Sequence, residues 1–168
     1  MTFSNIVLLA AAFTTALIAG LFYGYSCSVN AALGRLPDAG YLAAMQSINR
    51  EILNPLFFMS FMGTLILLPV STWLQYSNPV SLRFYLLLAA TLVYTVGTFG
   101  VTIIGNVPLN DALDVFHIQA SPEVLHQQRE LFEKPWNQLH SIRTIANAIA
   151  LILVLMACII KPETLKPA

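Results

Sequence analysis

Four stretches of this chain, roughly 5–29, 54–76, 82–107 and 138–160, are too long and too apolar for a soluble core. Each exceeds the roughly 18 residues that mark a segment able to cross a hydrocarbon layer about 30 Å thick. In that layer a backbone must satisfy its own N–H and C=O groups, which a helix does. The composition agrees: 57% of residues are hydrophobic and 10% are charged, against about 25% charged in a soluble domain. Mean hydropathy is +0.72. The expected fold is therefore all-α, one four-transmembrane-helix bundle over 1–168, with short amphipathic helices in the 1–2 and 3–4 connections. A formal net charge of zero offers nothing to a nucleic acid. The expected location is a membrane crossed several times, the cell inner membrane if the source is bacterial.

The amino terminus lacks the basic start and short apolar core of a cleaved signal, so it reads as the first span. Cys27 and Cys158 fall near opposite membrane surfaces. A disulfide needs Cα atoms within about 7 Å, so no bond between them is expected. Ala16, Gly20, Gly24 and Ser28 recur every fourth residue of span one. This small-residue stripe admits a close helix partner, in this chain or in a second copy as a homo-oligomer.

The connections carry helix signals of their own. Gly34 and Pro37 end the first helix, and Asp38 can cap a second. Tyr41, Met45, Ile48 and Ile52 then form an apolar stripe, with Gln46, Asn49 and Arg50 on other faces. That pattern predicts an amphipathic helix on the membrane or over the bundle. Asn54-Pro55 opens span two as cap and first residue. Thr91, Thr95, Thr98 and Thr102, continued by Asn106, predict interhelical hydrogen bonding along span three. Pro108 should end that span, with Asn110 or Asp111 capping the next turn. Ser121-Pro122 starts a short, partly exposed helix without a clean apolar stripe. His117 and His126 read as surface residues, and Lys161-Pro162 ends span four.

A line of polar residues leads into the fourth run. Trp136, His140, Arg143 and Asn147 are four, three and four residues apart, so a helix carries them on one face. An unbroken apolar stretch follows directly. Alone, Arg143 could snorkel to the headgroups and Trp136 could sit in an interfacial belt. Together they put an ionisable group where it normally faces a cavity or a partner. Up-down order sends the end of span one, the start of span two, the end of span three and the start of span four to one side. Tyr23, Tyr25, Asn54, Asn106, Asn110, Trp136, His140 and Arg143 converge there under both long connections, which predicts a pocket. The basic residues divide evenly between the two sides, three and three, once Arg50 and Arg143 are set aside for the site. We read both termini as inside, against the bare count.

Several runs occur in an order that resembles a known family. They are Arg35-Leu-Pro-Asp38, the segment 44–50 ending in Asn49-Arg50 and followed by Asn54-Pro55, the turn Asn106-Val-Pro-Leu-Asn110-Asp111, and Trp136-x-x-x-His140-x-x-Arg143-Thr144. Together they resemble the DUF1772, or anthrone oxygenase-like, family of small four-span membrane proteins. The resemblance implies oxidation of a hydrophobic polycyclic anthrone or phenol by O2 as cosubstrate, with no metal or flavin. That reaction needs a base, a donor for the enolate oxygen and an apolar chamber; His140 is the candidate base, and Arg143, with Asn106 or Asn110, the candidate support of the enolate oxygen. Trp136, Asn49, Asn54 and Tyr25 would help bind the substrate. The alternatives are a non-catalytic protein holding a lipid or small hydrophobic ligand in the bundle mouth, a structural subunit, and a metal enzyme using His140 with Glu51 or Asp111.

Overall fold

The computed structural model describes residues 2–160, which are all-helical without strands. The helices are α1 (Phe3–Leu33), α2 (Asp38–Glu51), α3 (Pro55–Leu74), α4 (Leu82–Asp114) and α5 (Pro122–Ile159). All but α2 are long and apolar enough to cross a membrane. They pack as a ring: α1 against α3, α3 against α4, α4 against α5, and α5 back against α1. Helix α2 covers one end, against α5 and the last turns of α4. This covered end is the mouth; the other is the tail side.

Between spans, lipid is as apolar as leucine, so association rests on close packing and on hydrogen bonds. The tail-side core does this with Leu8, Ala11, Leu68, Leu87, Ala90 and Val154. Midway, the α4 and α5 backbones nearly touch. A Cβ added to Gly97 would lie 2.6 Å from the Ala146 Cβ, so only glycine fits. A second apolar cluster, with Leu33, Leu42, Met45, Leu113 and Phe132, lies under α2 beyond the mouth. Cys27 and Cys158 are free and exposed, in line with the expected absence of a bond between them. His117 is exposed, as expected.

Several boundaries differ from expectation. Helix α4 does not stop at Pro108 but continues to Asp114, and neither Asn110 nor Asp111 is a cap. Just before Pro108 the helix widens into a π turn over Thr102–Asn106, where the Val107 N–H bonds the Thr102 carbonyl. That shift of the hydrogen-bond register makes room for a proline that a regular helix would reject. A second π turn, Tyr94–Gly100, rotates the expected threonine stripe. Tyr94, Thr98, Thr102 and Asn106 are buried, while Thr95 points outward.

The expected short helix after Ser121 and the fourth span are one helix of 38 residues running through Pro135. At 1.5 Å per residue it is roughly 57 Å long, about twice the hydrocarbon thickness. Its first turns therefore stand outside the membrane, where they meet α2. Pro37, not Asp38, occupies the cap of α2. Gln46, expected on a polar face, is buried because its Nε2 donates to the Leu113 carbonyl at 2.8 Å and the Phe116 carbonyl at 2.9 Å. Asn54 does cap α3, its Oδ1 accepting from the Phe57 N–H at 3.0 Å. The expected stop at Lys161-Pro162 lies outside the described residues.

Candidate functional site

The face of α5 that carries Trp136, His140, Arg143 and Asn147 is buried along its whole length, from Leu125 and Phe132 to Ala150 and Val154. Arg129 continues the line outward and fixes the roof of the site. Its guanidinium lies 4.5 Å over the Tyr41 ring. It donates to the Leu36 carbonyl at 2.8 Å, the Gly34 carbonyl at 3.0 Å and the Asp38 carboxylate at 3.0 Å. The turn between α1 and α2 is thus tied to α5. The hydrogen bond from Arg129 holds the Asp38 carboxyl below the usual carboxylate range. Burial pushes the Tyr41 phenol up.

Inside the mouth, the Trp136 and His140 rings stack at 5.1 Å with 10° between their planes. Trp136 is 3%, His140 1% and Arg143 8% exposed. The Trp136 Nε1–H donates to Asn110 Oδ1 at 2.8 Å. Arg143 donates to His140 Nδ1 from Nε at 3.2 Å and from Nη2 at 3.1 Å. Its remaining partners are the Thr102 hydroxyl at 3.5 Å and two ring faces, Phe22 at 4.5 Å and Trp136 at 5.2 Å. No carboxylate pairs with it among the described residues. The two ring faces and the hydrogen bonds to His140 and Thr102 are what hold the cation in place. The site therefore holds a cation with no neutralising anion among the described residues.

With Nδ1 accepting from Arg143, the proton of a neutral His140 sits on Nε2. Nε2 is 3.0 Å from the Ser26 hydroxyl, to which it donates. Ser26 lies in a third π turn, Tyr25–Val29 of α1. Three such turns thus surround Arg143 and His140, a deviation that recurs at functional sites.

A cavity of about 130 Å³ adjoins these groups. Its aromatic wall is Phe22, Tyr25, Phe57, Phe61 and Trp136; its polar wall is Asn49, Thr102, Asn110, His140 and Arg143. A second hollow of about 150 Å³ shares Asn49 and Asn110 and ends at Arg50, Asp111 and Asp114. Across it, Arg50 of α2 donates to the Asp114 carboxylate of α4. Asn49 Nδ2 is buried without a partner. Tyr25 holds α1 to α2, its hydroxyl donating to the Met45 sulfur at 3.3 Å.

Of the residues singled out from sequence, His140, Arg143, Trp136, Asn110, Asn49 and Tyr25 line the cavity. Asn54 and Asn106 do not: Asn54 caps α3, and Asn106 Nδ2 donates to the Trp136 carbonyl at 3.3 Å from behind the wall. Sequence reasoning missed Phe22, Phe57, Phe61 and Thr102, and left Ser26 without a role. Only Thr102 and Ser26 gave a polar signal. Among the described residues no three His, Cys, Asp or Glu side chains are grouped to hold a metal ion, His140 with Glu51 and Asp111 included.

No curated protein and no solved structure matches the chain. A family model described as Anthrone oxygenase matches residues 56–153, more than half of the chain. That stretch contains both the Asn106–Asp111 segment and the Trp136–His140–Arg143 line that border the cavity. The chain belongs to the anthrone oxygenase-like family, DUF1772.

Proposed function

We propose that the cavity binds an aryl ketone with an acidic methylene, of the anthrone type, and supports its oxidation by O2. The observation that carries this reading is the Arg143 guanidinium, without a carboxylate partner among the described residues, packed on rings and bonded to an imidazole beside an aromatic chamber. Loss of a methylene proton turns such a ketone into an enolate. Arg143 would swing from His140 onto the enolate oxygen, which frees Nδ1 of His140 to take that proton. The electron-rich carbon then gives electrons to O2 and bonds one oxygen atom. The second oxygen leaves as water, so ketone and O2 yield the quinone and water. Exclusion of bulk water by the aromatic wall strengthens the Arg143 interaction.

The test is oxygen uptake on addition of anthrone to the protein in lipid nanodiscs. His140→Ala should lower uptake about 100-fold or more, the usual range for a lost general base, with unchanged helix content. Uptake equal to that of the wild type would remove His140 as the base. A second reading, a ligand carrier without turnover, has one observation in its favour: in the resting site both imidazole nitrogens already have partners. That reading expects a bound aromatic or lipid ligand released on denaturation and no oxygen uptake.

A further inference from the structure

The cavity is roofed but not walled all round. Helix α2 closes it towards the aqueous side with Ile48, Asn49 and Ile52. Between α3 and α4 the wall opens. The two helices pack along Leu82–Val93, touch less over Tyr94–Gly100, and diverge towards the mouth. Phe58 of α3 and Ile103 of α4 line the cavity and are nevertheless 44% and 46% exposed. At the level of a span, the surface they face is hydrocarbon.

The closed part is also small. An apolar cavity of about 150 Å³ takes one benzene ring, and this one is about 130 Å³. A larger ligand must keep part of itself outside. We propose that the cavity opens sideways into the bilayer between α3 and α4. Its ligand is a lipid-dissolved phenol or enol whose oxygen reaches Arg143 and whose further rings or alkyl chain remain in the portal. This rests on the proposed binding of an aryl oxygen at Arg143. Methylenes in the portal and in lipid have equally apolar surroundings, so lengthening the chain leaves affinity unchanged. A closed pocket would reject the longer molecule.

The experiment uses the full chain in phosphatidylcholine nanodiscs carrying tritiated para-cresol, displaced by unlabelled para-cresol or para-octylphenol at equal mole fraction in the lipid. In the wild type the octyl compound should displace as well as the methyl one. Ile103→Trp narrows the portal, and a crowded contact there should weaken the octyl compound about tenfold. The methyl compound, which reaches less far into the portal, should weaken clearly less than the octyl one under the same variant. Ile104→Trp is the control: this neighbour is 83% exposed and does not line the cavity, so it should change neither. Failure of octylphenol to displace cresol from the wild type would overturn the portal while leaving the Arg143 reading intact. So would equal weakening of both ligands by Ile103→Trp, or no weakening of either. If cresol itself does not bind, both readings fall.

Discussion

The tail side and the mouth each bury one arginine, and the two are held in different ways. Arg83 sits at the start of α4, beside the far end of α5. It donates to Gln75 Oε1 at 3.4 Å and to the Ile160 carbonyl. That carbonyl belongs to a helix C-terminus, which carries partial negative charge and free acceptors. Arg83 thus works as a cap between helices. Arg143 lies mid-helix, where the carbonyls are already bonded, and finds an imidazole lone pair, a hydroxyl and two ring faces. Neither arginine pairs with a carboxylate among the described residues, and Arg83 even keeps a buried Nε–H without a partner. What sets Arg143 apart is that it borders the cavity, where a ligand can reach it. Burial alone does not mark a functional cation; access to a cavity does.

The largest expected effect comes from the seam where the two halves meet. Gly97→Val puts side-chain atoms into the space held by Ala146. Both partners there belong to long helices that cannot retreat without unpacking their whole length. The substitution should prevent assembly, read as loss of the monodisperse peak on size exclusion. A folded, normal Gly97→Val protein would mean that the two halves are less rigidly joined than their contact distance requires.

The contrast between the arginines can be sharpened by matched substitutions. Arg83→Met removes charged hydrogen bonds to a helix end, each worth about 1.5–3 kcal/mol, and should lower the thermal midpoint in detergent. Arg143→Met removes a cation whose placement in a span costs about 2.5–3.5 kcal/mol when unpaired. It should leave the midpoint equal or higher while binding of para-cresol is lost. If Arg143→Met destabilises the protein as much as Arg83→Met, Arg143 is a structural residue and the distinction fails.

The two halves also differ in how far they could be read in advance. The tail side follows from hydropathy: an apolar run of sufficient length is a span, whichever residues fill it. At the mouth, the four-three-four spacing placed Trp136, His140 and Arg143 on one wall correctly. The same line extends back through Phe132, Arg129 and Leu125, but Pro135 hid the continuity. Proline rules also misjudged Pro108, because a π turn can absorb what a regular helix cannot. Asn54 and Asn106 were overread, since an amide's partner is a property of the fold and not of the residue. Phe22, Phe57 and Phe61 were invisible for another reason: in an apolar run, a phenylalanine facing lipid and one facing a cavity look alike.

The smallest effect concerns the clamp that holds the roof over the mouth and has no counterpart among the described residues of the tail side. Asp38 accepts from Arg129 and lies 3.1 Å from His126 Nδ1, and its carboxyl is held below the usual range. A carboxyl with a lowered folded pKa adds stability above its unfolded value of about 3.9 and loses it as pH falls through the folded value. Asp38→Asn should therefore lower the thermal midpoint slightly at neutral pH, and the gap to the wild type should close below the ordinary carboxylate range. Because Arg129 also holds the Gly34 and Leu36 carbonyls, the turn should stay in place in the variant and binding of para-cresol should be unchanged. A gap that persists in acid would locate the contribution of Asp38 in its shape within the first turn of α2. Loss of binding would show that the roof depends on this one ion pair.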